Sequence, residues 1–114
     1  MMEEAEVVSS LAALAQGLRL RVFRLLVMAG NTGLTPGAMA EALEVPAATL
    51  SFHLKELTHS GLITQKRESR YLVYRAAYDR MNQLVAYLTA HCCQGEKRAV
   101  TSRRRPRIAA DAGA

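Results

Sequence analysis

LEVPAATLSFHLKELTHSGLI, residues 43–63, is the stretch whose reading decides the fold. Pro46 suits a first helical turn, Leu50, Leu54 and Leu57 recur at i, i+4 and i+7, and Gly61 stands where a left-handed cap would end a helix. The pattern predicts an amphipathic helix with both ends marked. At about 100° per residue the three leucines form an inward stripe, and Ala48, Ser51, Phe52 and Lys55 fall on the opposite face. That face is small, polar or singly basic. Short side chains let a helix approach the floor of a DNA major groove, hydroxyls bond base edges, and an aromatic ring can touch a thymine methyl. The stretch therefore reads as a recognition helix, and His53 at the edge of the same face is within reach of DNA.

An ordinary surface helix packed on a core carries the same pattern, so the residues before it must separate the two readings. Thr35 and Pro36 read as an N-cap and N1 pair, and Met39, Ala40 and Leu43 give the helix that follows a short apolar face. Two short helices are then joined through Glu44-Val45-Pro46. A tight junction between short helices is the helix-turn-helix pattern.

Working outward, residues 4–16 place Val7, Val8, Leu11, Leu14 and Ala15 on one broad apolar stripe, which predicts a first helix. Gly17 breaks or bends it. Leu18 to Val27 carries a second apolar face of Leu18, Val22, Leu25 and Leu26, with Arg19, Arg21 and Arg24 around it as a solvated face or near phosphates. Gly30-Asn31-Thr32-Gly33 is a turn.

After Gly61 the period changes. Leu62 to Arg67 and Arg70 to Ala76 are rich in Ile, Val, Thr and Tyr and flank Glu68-Ser69, which predicts a two-stranded hairpin, a wing. Lys66, Arg67 and Arg70 cluster at its tip, placed to reach phosphates or an adjacent minor groove. Charges that keep an edge strand from aggregating would look the same. Tyr78 to Gln94 returns to helical spacing, with Met81, Leu84, Val85 and Leu88 as its stripe and Gly95 as its stop. In a domain this small the apolar faces of the first and last helices have too little protein left to cover them, so both are expected to form a homodimer interface. A two-fold dimer would set two recognition helices one DNA turn apart. The fold class is therefore mainly α with a β-hairpin wing (α+β), a dimeric winged helix-turn-helix.

Length and charge fit this reading. A chain of 114 residues is one domain with one core, expected over residues 1–95. Residues 96–114 are small, basic, interrupted by Pro106 and without sustained periodicity, which predicts a disordered tail. Of the net charge of +5, the tail's six Lys and Arg against Glu96 and Asp111 account for +4, leaving the body near neutral. Arg103, Arg104, Arg105 and Arg107 could add nonspecific phosphate affinity or merely solubilise. No apolar run approaches a membrane span, and Glu3, Glu4 and Glu6 stand where a signal peptide would be basic, so a cytoplasmic location and no membrane partner are expected. No phosphate loop, paired carboxylates, Ser-His-Asp set or Cys-X-X-Cys motif suggests an enzyme, and no cofactor is required.

Taken together these residues resemble the arsenic-repressor (ArsR/SmtB) winged helix-turn-helix regulators over roughly residues 11–93. LAALAQGLRLRVFRLL (11–26) is similar to that family's second-helix signature, MAEALEVPAATLSFHLKELTHSGLI (39–63) to its helix-turn-helix, and KRESRYLVYRA (66–76) to its wing. The resemblance implies a repressor of operator DNA that is released by a ligand. Gly17 stands where the family usually has proline, and Glu44 and Ser69 where glycines often occur. Ala48 and Phe52 replace more polar residues of the family, which leaves the operator sequence open. The family's arsenic site in or before the reading helix has no cysteine here, and its zinc pattern on the last helix fails because Asp79 is followed two residues on by Met81.

Cys92 and Cys93 are the chain's two cysteines, and as sequence neighbours they close no useful loop. Adjacent thiols at the fraying end of a helix can both turn toward one soft ion, and trivalent arsenic or antimony forms three-coordinate complexes with such thiolates. Some members of the family have a vicinal pair there with a third cysteine later, at the position of Ala99. Two protein thiols leave one place open for an external thiol, a hydroxide, or a methyl or aryl group already on the metalloid. Arsenite, antimonite and methylarsenite or another organoarsenical are thus the expected effectors. His91 could lower a thiol pKa or be a third donor. The competing readings are two small buried hydrophobes, a thiol-redox-responsive repressor, and a constitutive architectural DNA-binding protein.

Overall fold

A computed structural model of the chain describes residues 2–93. Thr35 caps α3 (Pro36–Leu43) through its side-chain oxygen, which accepts from the Ala38 amide at 3.2 Å, with Pro36 in the first turn. The chain leaves α3 through Glu44, whose backbone is left-handed at φ 58°. It enters α4 (Ala47–His59) at Pro46, which is the N-cap with φ −63° and ψ 144° rather than a first-turn residue. Proline still fits for the expected reason, since a cap amide has no helical carbonyl to bond. Gly61, with φ 85°, follows the C-cap Ser60 and ends the helix as expected.

Leu50, Leu54 and Leu57 are buried and anchor the main core together with Val22, Phe23 and Leu26 of α2 (Gly17–Ala29) and Met39 of α3. α1 (Glu4–Leu14) stops two residues short of the expected end. Gly17, expected to interrupt the helical run, is the first residue of α2, whose N-cap Gln16 accepts from the Arg19 amide at 2.8 Å. Arg19 is no plain solvated residue: its Nε donates to the carbonyl of Ala13 at 2.9 Å, a cation closing an orphaned C-terminal carbonyl of α1. A single 3-10 turn, Gly30–Thr32, precedes Gly33.

The wing pairs β1 (Ile63–Glu68) with β2 (Tyr71–Ala76), antiparallel, with Glu68 opposite Tyr71. The turn is Ser69-Arg70, one residue later than Glu68-Ser69, because Glu68 is still in the ladder. Ser69 takes a left-handed φ of 61°, and Glu44 does the same, so both sites where the resembled family carries glycine ask for a positive φ. On its other side β2 pairs with Leu34, whose amide donates to the Tyr74 carbonyl at 3.0 Å and whose carbonyl accepts from the Tyr74 amide at 2.8 Å. Gly33 makes this approach feasible, since a Cβ there would lie 2.7 Å from the Tyr74 carbonyl oxygen.

α5 (Tyr78–Thr89) ends five residues before the expected Gln94. From Val85 to Thr89 every side chain is exposed, and a helical end that buries no side chain has little to sustain it. The backbone becomes extended at Ala90 (ψ 135°), and the His91, Cys92 and Cys93 that follow form a turn. Leu84 packs with Met2 and Val7 in a second, smaller core against α1. The rest of the expected stripe differs: Met81 is half-buried, while Val85 and Leu88 are 54% and 56% exposed. On α1, Val8 and Leu11 are exposed as well. Gly95 as a stop, Ala99 and the expected tail 96–114 lie outside the described residues.

Candidate nucleic-acid interface and thiol pair

The outward face of α4 divides into two flanks. Ala48, Ser51, Phe52 and Lys55 are all exposed, as their helical positions require. Ser51 and Lys55 continue into Thr58 on the side of the wing. There they line a groove of about 290 Å³ with His59, Gln65 and Tyr74. Phe52 sits on the other side: the Arg19 guanidinium carbon lies 5.9 Å from its ring centroid, and His53 meets it edge-on at 5.8 Å. Phe52 is 60% exposed even so, an aromatic surface held in place from behind. His53 is half-buried, and among the described residues its buried Nδ1 has no hydrogen-bond partner.

The wing's basic residues do not act as one cluster. Directly paired residues share a face of the ribbon, so Arg67 with Leu72 and Gln65 with Tyr74 lie on the face that packs toward the body through Ile63 and Ala76. Lys66, opposite Val73, lies on the reverse face with Tyr71. Arg70 occupies the turn itself. All three are exposed. Arg75, on the strand, is engaged internally: it pairs with Glu68 at 2.8 Å and its Nε donates to the Asn31 carbonyl at 2.6 Å, fastening the wing to the turn before Gly33.

Sequence reasoning passed over Tyr74. Its ring is buried in the main core, its strand is paired with β1 in register with Gln65, and its own amide and carbonyl are both bonded to Leu34. It also lines the groove beside Lys55. Burial raises the phenol above its ordinary range, so the hydroxyl stays protonated and able to donate. Only the register, with Tyr74 opposite Gln65, places it there, and a shift of one residue in pairing would have put it on the reverse face.

At the far end of the described chain the Cys92 and Cys93 sulfurs lie 2.9 Å apart. They are brought together by the turn after α5 rather than on a helical end. The Cys92 amide donates to the Thr89 carbonyl at 3.0 Å, and His91 and Cys93 have positive φ of 61° and 60°. Cys92 is exposed and Cys93 half-buried, so neither is a core hydrophobe. The Cys93 thiol is pushed up first by its bond with Cys92, then by burial and by charge on Cys92. A largely apolar cavity of about 750 Å³, lined by Met2, Gln83, Ala86, Tyr87, Ala90 and His91, reaches the residue that precedes the pair in sequence. Among the described residues no three His, Cys, Asp or Glu converge as a metal site, and no helix is long and apolar enough to cross a membrane.

A helix-turn-helix domain model matches residues 14–66, which spans α2, the helix-turn-helix and the start of the wing. Among solved structures, an ArsR-like transcriptional regulator from Rhodococcus sp. RHA1 is similar at 27% identity and a TM-score of 0.66, over 74% of this chain and 76% of that one. The homodimeric winged helix-turn-helix DNA-binding domain of a possible ArsR-family regulator from Mycobacterium bovis is 28% identical, with a TM-score of 0.62 over 77% of this chain and 86% of that one. A possible transcriptional regulator for arsenical resistance is likewise 28% identical, with a TM-score of 0.62 over 72% and 82% of the two chains. No curated protein sequence matches significantly. The chain carries a winged helix-turn-helix domain, and the solved structures it is similar to include regulators of the ArsR type. It is a DNA-binding transcriptional regulator, and its fold and family are not those of an enzyme.

Proposed function

We propose that the protein is a homodimeric repressor that holds double-stranded operator DNA and releases it when a trivalent arsenical binds Cys92 and Cys93. Ala48, Ser51 and Phe52 enter the major groove, with Lys55 and His53 at its margin, and Lys66, Arg67 and Arg70 of the wing contact the backbone beside it. The observation that carries the effector is the 2.9 Å approach of two accessible sulfurs with no third protein ligand converging on them among the described residues. Two thiolates can share one soft, three-coordinate centre and leave its third place to a hydroxide, an external thiol or an organic group. The 750 Å³ cavity that reaches His91, walled in part by Met2, Ala86, Tyr87 and Ala90, is an apolar space that a methyl or aryl substituent could enter, which favours organoarsenicals alongside arsenite and antimonite. The similarity to a possible regulator for arsenical resistance supports the same ligand class.

Release follows if the ligand binds the DNA-free form more tightly. A coupling of about 3 kcal/mol would weaken operator affinity about 150-fold, and DNA would weaken ligand binding by the same factor. The loaded turn pulls on α5, and α5 reaches α1 through Leu84, Met2 and Val7. α1 and α5 also present the exposed Val8, Leu11, Val85 and Leu88 that a second copy would cover, so a shift of α5 changes the spacing of two reading heads.

The same sulfur approach suits oxidation, in which two thiols and one peroxide give a disulfide and two waters. Fluorescence-monitored release from the chain's own promoter fragment, with arsenite, antimonite, methylarsenite, zinc and peroxide in parallel, separates the readings. Release by trivalent arsenicals that is lost in the Cys92→Ser/Cys93→Ser protein is the expected result. Release by peroxide alone would select the redox reading, and release undiminished in the double variant would overturn both.

A further inference from the structure

We infer that the groove between α4 and the wing is a seat for a single DNA phosphodiester, with the Tyr74 hydroxyl and the Lys55 ammonium as its donors. The inference rests on the DNA-binding reading of this face and adds to it a residue that lies in the core by burial and in the interface by its one polar atom. Among the described residues no side chain or backbone group hydrogen-bonds the Tyr74 hydroxyl, although the residue is only 8% exposed. Its backbone is fixed between β1 and Leu34, so the phenol axis is held without cost at the moment of binding. A buried ring ending in an unspent donor, open to a cleft rather than to bulk solvent, is an arrangement a purely structural residue does not need; phenylalanine would fill the core equally well.

The surroundings specify the ligand. Lys55 contributes a full positive charge, and Ser51, Thr58 and Gln65 add hydroxyl and amide donors, while none of the six residues lining the groove is acidic. Thr58 spends its hydroxyl proton on the Leu54 carbonyl at 2.8 Å, which leaves lysine and tyrosine as the principal donors. A guanine edge also offers acceptors alone, but it carries no negative charge to match the lysine ammonium. A phosphodiester is acceptor only and anionic, and matches the set. A groove of about 290 Å³, roughly ten times the share of one water in the liquid, admits a phosphate with some of its hydration. The groove lies along the wing-side flank of α4, where the rim of a major groove occupied by that helix would fall.

The test uses the full chain and a fluorescent duplex carrying its own promoter region, with a mixed-sequence duplex in parallel. Tyr74→Phe should weaken both duplexes by a similar factor, about tenfold per protomer, because a phosphate contact carries no sequence information. The slope of log affinity against log salt should stay unchanged, since a neutral hydroxyl releases no counterion. Lys55→Gln should lower that slope by about one per protomer. Replacing phosphates one at a time by neutral methylphosphonates then locates the contact. At one position per half-site the further effects of Tyr74→Phe and of Lys55→Gln should both vanish, and at all others they should persist. Wild-type affinity in Tyr74→Phe overturns the inference, as does suppression of the two variants at different phosphates or at none. Should Tyr74→Phe prove unstable, as a shift in its melting temperature would reveal, Lys55→Gln with the methylphosphonate series and 3-fluorotyrosine at position 74 give the same decision. Failure of the wild-type chain to bind either duplex would instead sink the DNA-binding reading itself.

Discussion

Helices α4 and α5 are written with almost the same pattern and are used in different ways. Both carry an apolar stripe at helical spacing. On α4 the stripe is spent inside the chain: Leu50, Leu54 and Leu57 are 0%, 3% and 0% exposed. On α5 only Leu84 is buried, and Val85 and Leu88 remain more than half open. The contrast shows that periodicity identifies a face that wants covering without saying what covers it. α4 is covered by α2, α3 and the wing, which frees its other side to meet a ligand. α5 is covered on one edge by α1, and we assign the remainder to a second copy of the chain.

The largest effect should come from the closed side of that contrast. Leu57→Ala removes a fully buried side chain and should cost about 2–5 kcal/mol by denaturant unfolding. Leu88→Ala should cost well under half of that in the isolated protomer and show its effect mainly as a lost dependence of melting temperature on protein concentration. Equal losses at both sites would erase the distinction.

Next in size is the dimer itself. Val85→Asp with Leu88→Asp places two charges where an apolar seam is expected, and sedimentation should show a monomer that keeps its helical circular dichroism. A dimer that survives both charges would mean that the seam lies elsewhere. The two helices also meet at Gly61, where a Cβ would stand 2.8 Å from the Arg80 guanidinium of α5. That guanidinium ends a flexible chain and can move, and its 3.8 Å pairing with Glu6 is too long and exposed to matter much. The cost of Gly61→Ala is therefore chiefly that of the left-handed backbone, about 1–2 kcal/mol in unfolding free energy. A far greater loss would show α4 and α5 to be rigidly coupled at this corner.

Legibility followed the same division. Local chemistry was readable wherever the signal and its cause lie within a few residues. Thr35 and Pro36 start α3, Glu44-Val45-Pro46 make the junction, and Gly61 closes α4. What depends on distant partners was not. The one-residue shift of the wing turn depends on Glu68 finding Tyr71 across the ladder. The early end of α5 goes with a last turn whose side chains are all exposed, although residues 89–94 contain no helix breaker. Arg19 looked like a surface charge until the Ala13 carbonyl appeared beside it, and Tyr74 looked like a strand residue until the groove did.

The smallest expected effect bears on the open end of α5 and is a near-absence of change. Cys93 is raised by its bond to Cys92, so near neutral pH its resting form is the thiol. A protonated thiol condensing with an As–OH group forms an As–S bond and water, with no net proton released. Below the raised thiol pKa the equilibrium affinity for arsenite at Cys93 should therefore be nearly flat with pH, and isothermal titration in buffers of different ionisation heat should detect little proton transfer. Zinc would behave oppositely, because it displaces thiol protons and should bind more tightly as pH rises. Peroxide would differ again: its rate, rather than an equilibrium, should climb with pH as the thiolate fraction grows. A steep rise of arsenite affinity between about pH 6 and 8, within the ordinary spread below a free thiol, would mean that Cys93 is already a thiolate there. The turn beyond α5 would then be a preformed anionic site and not the pair of hydrogen-bonded thiols inferred from the 2.9 Å approach.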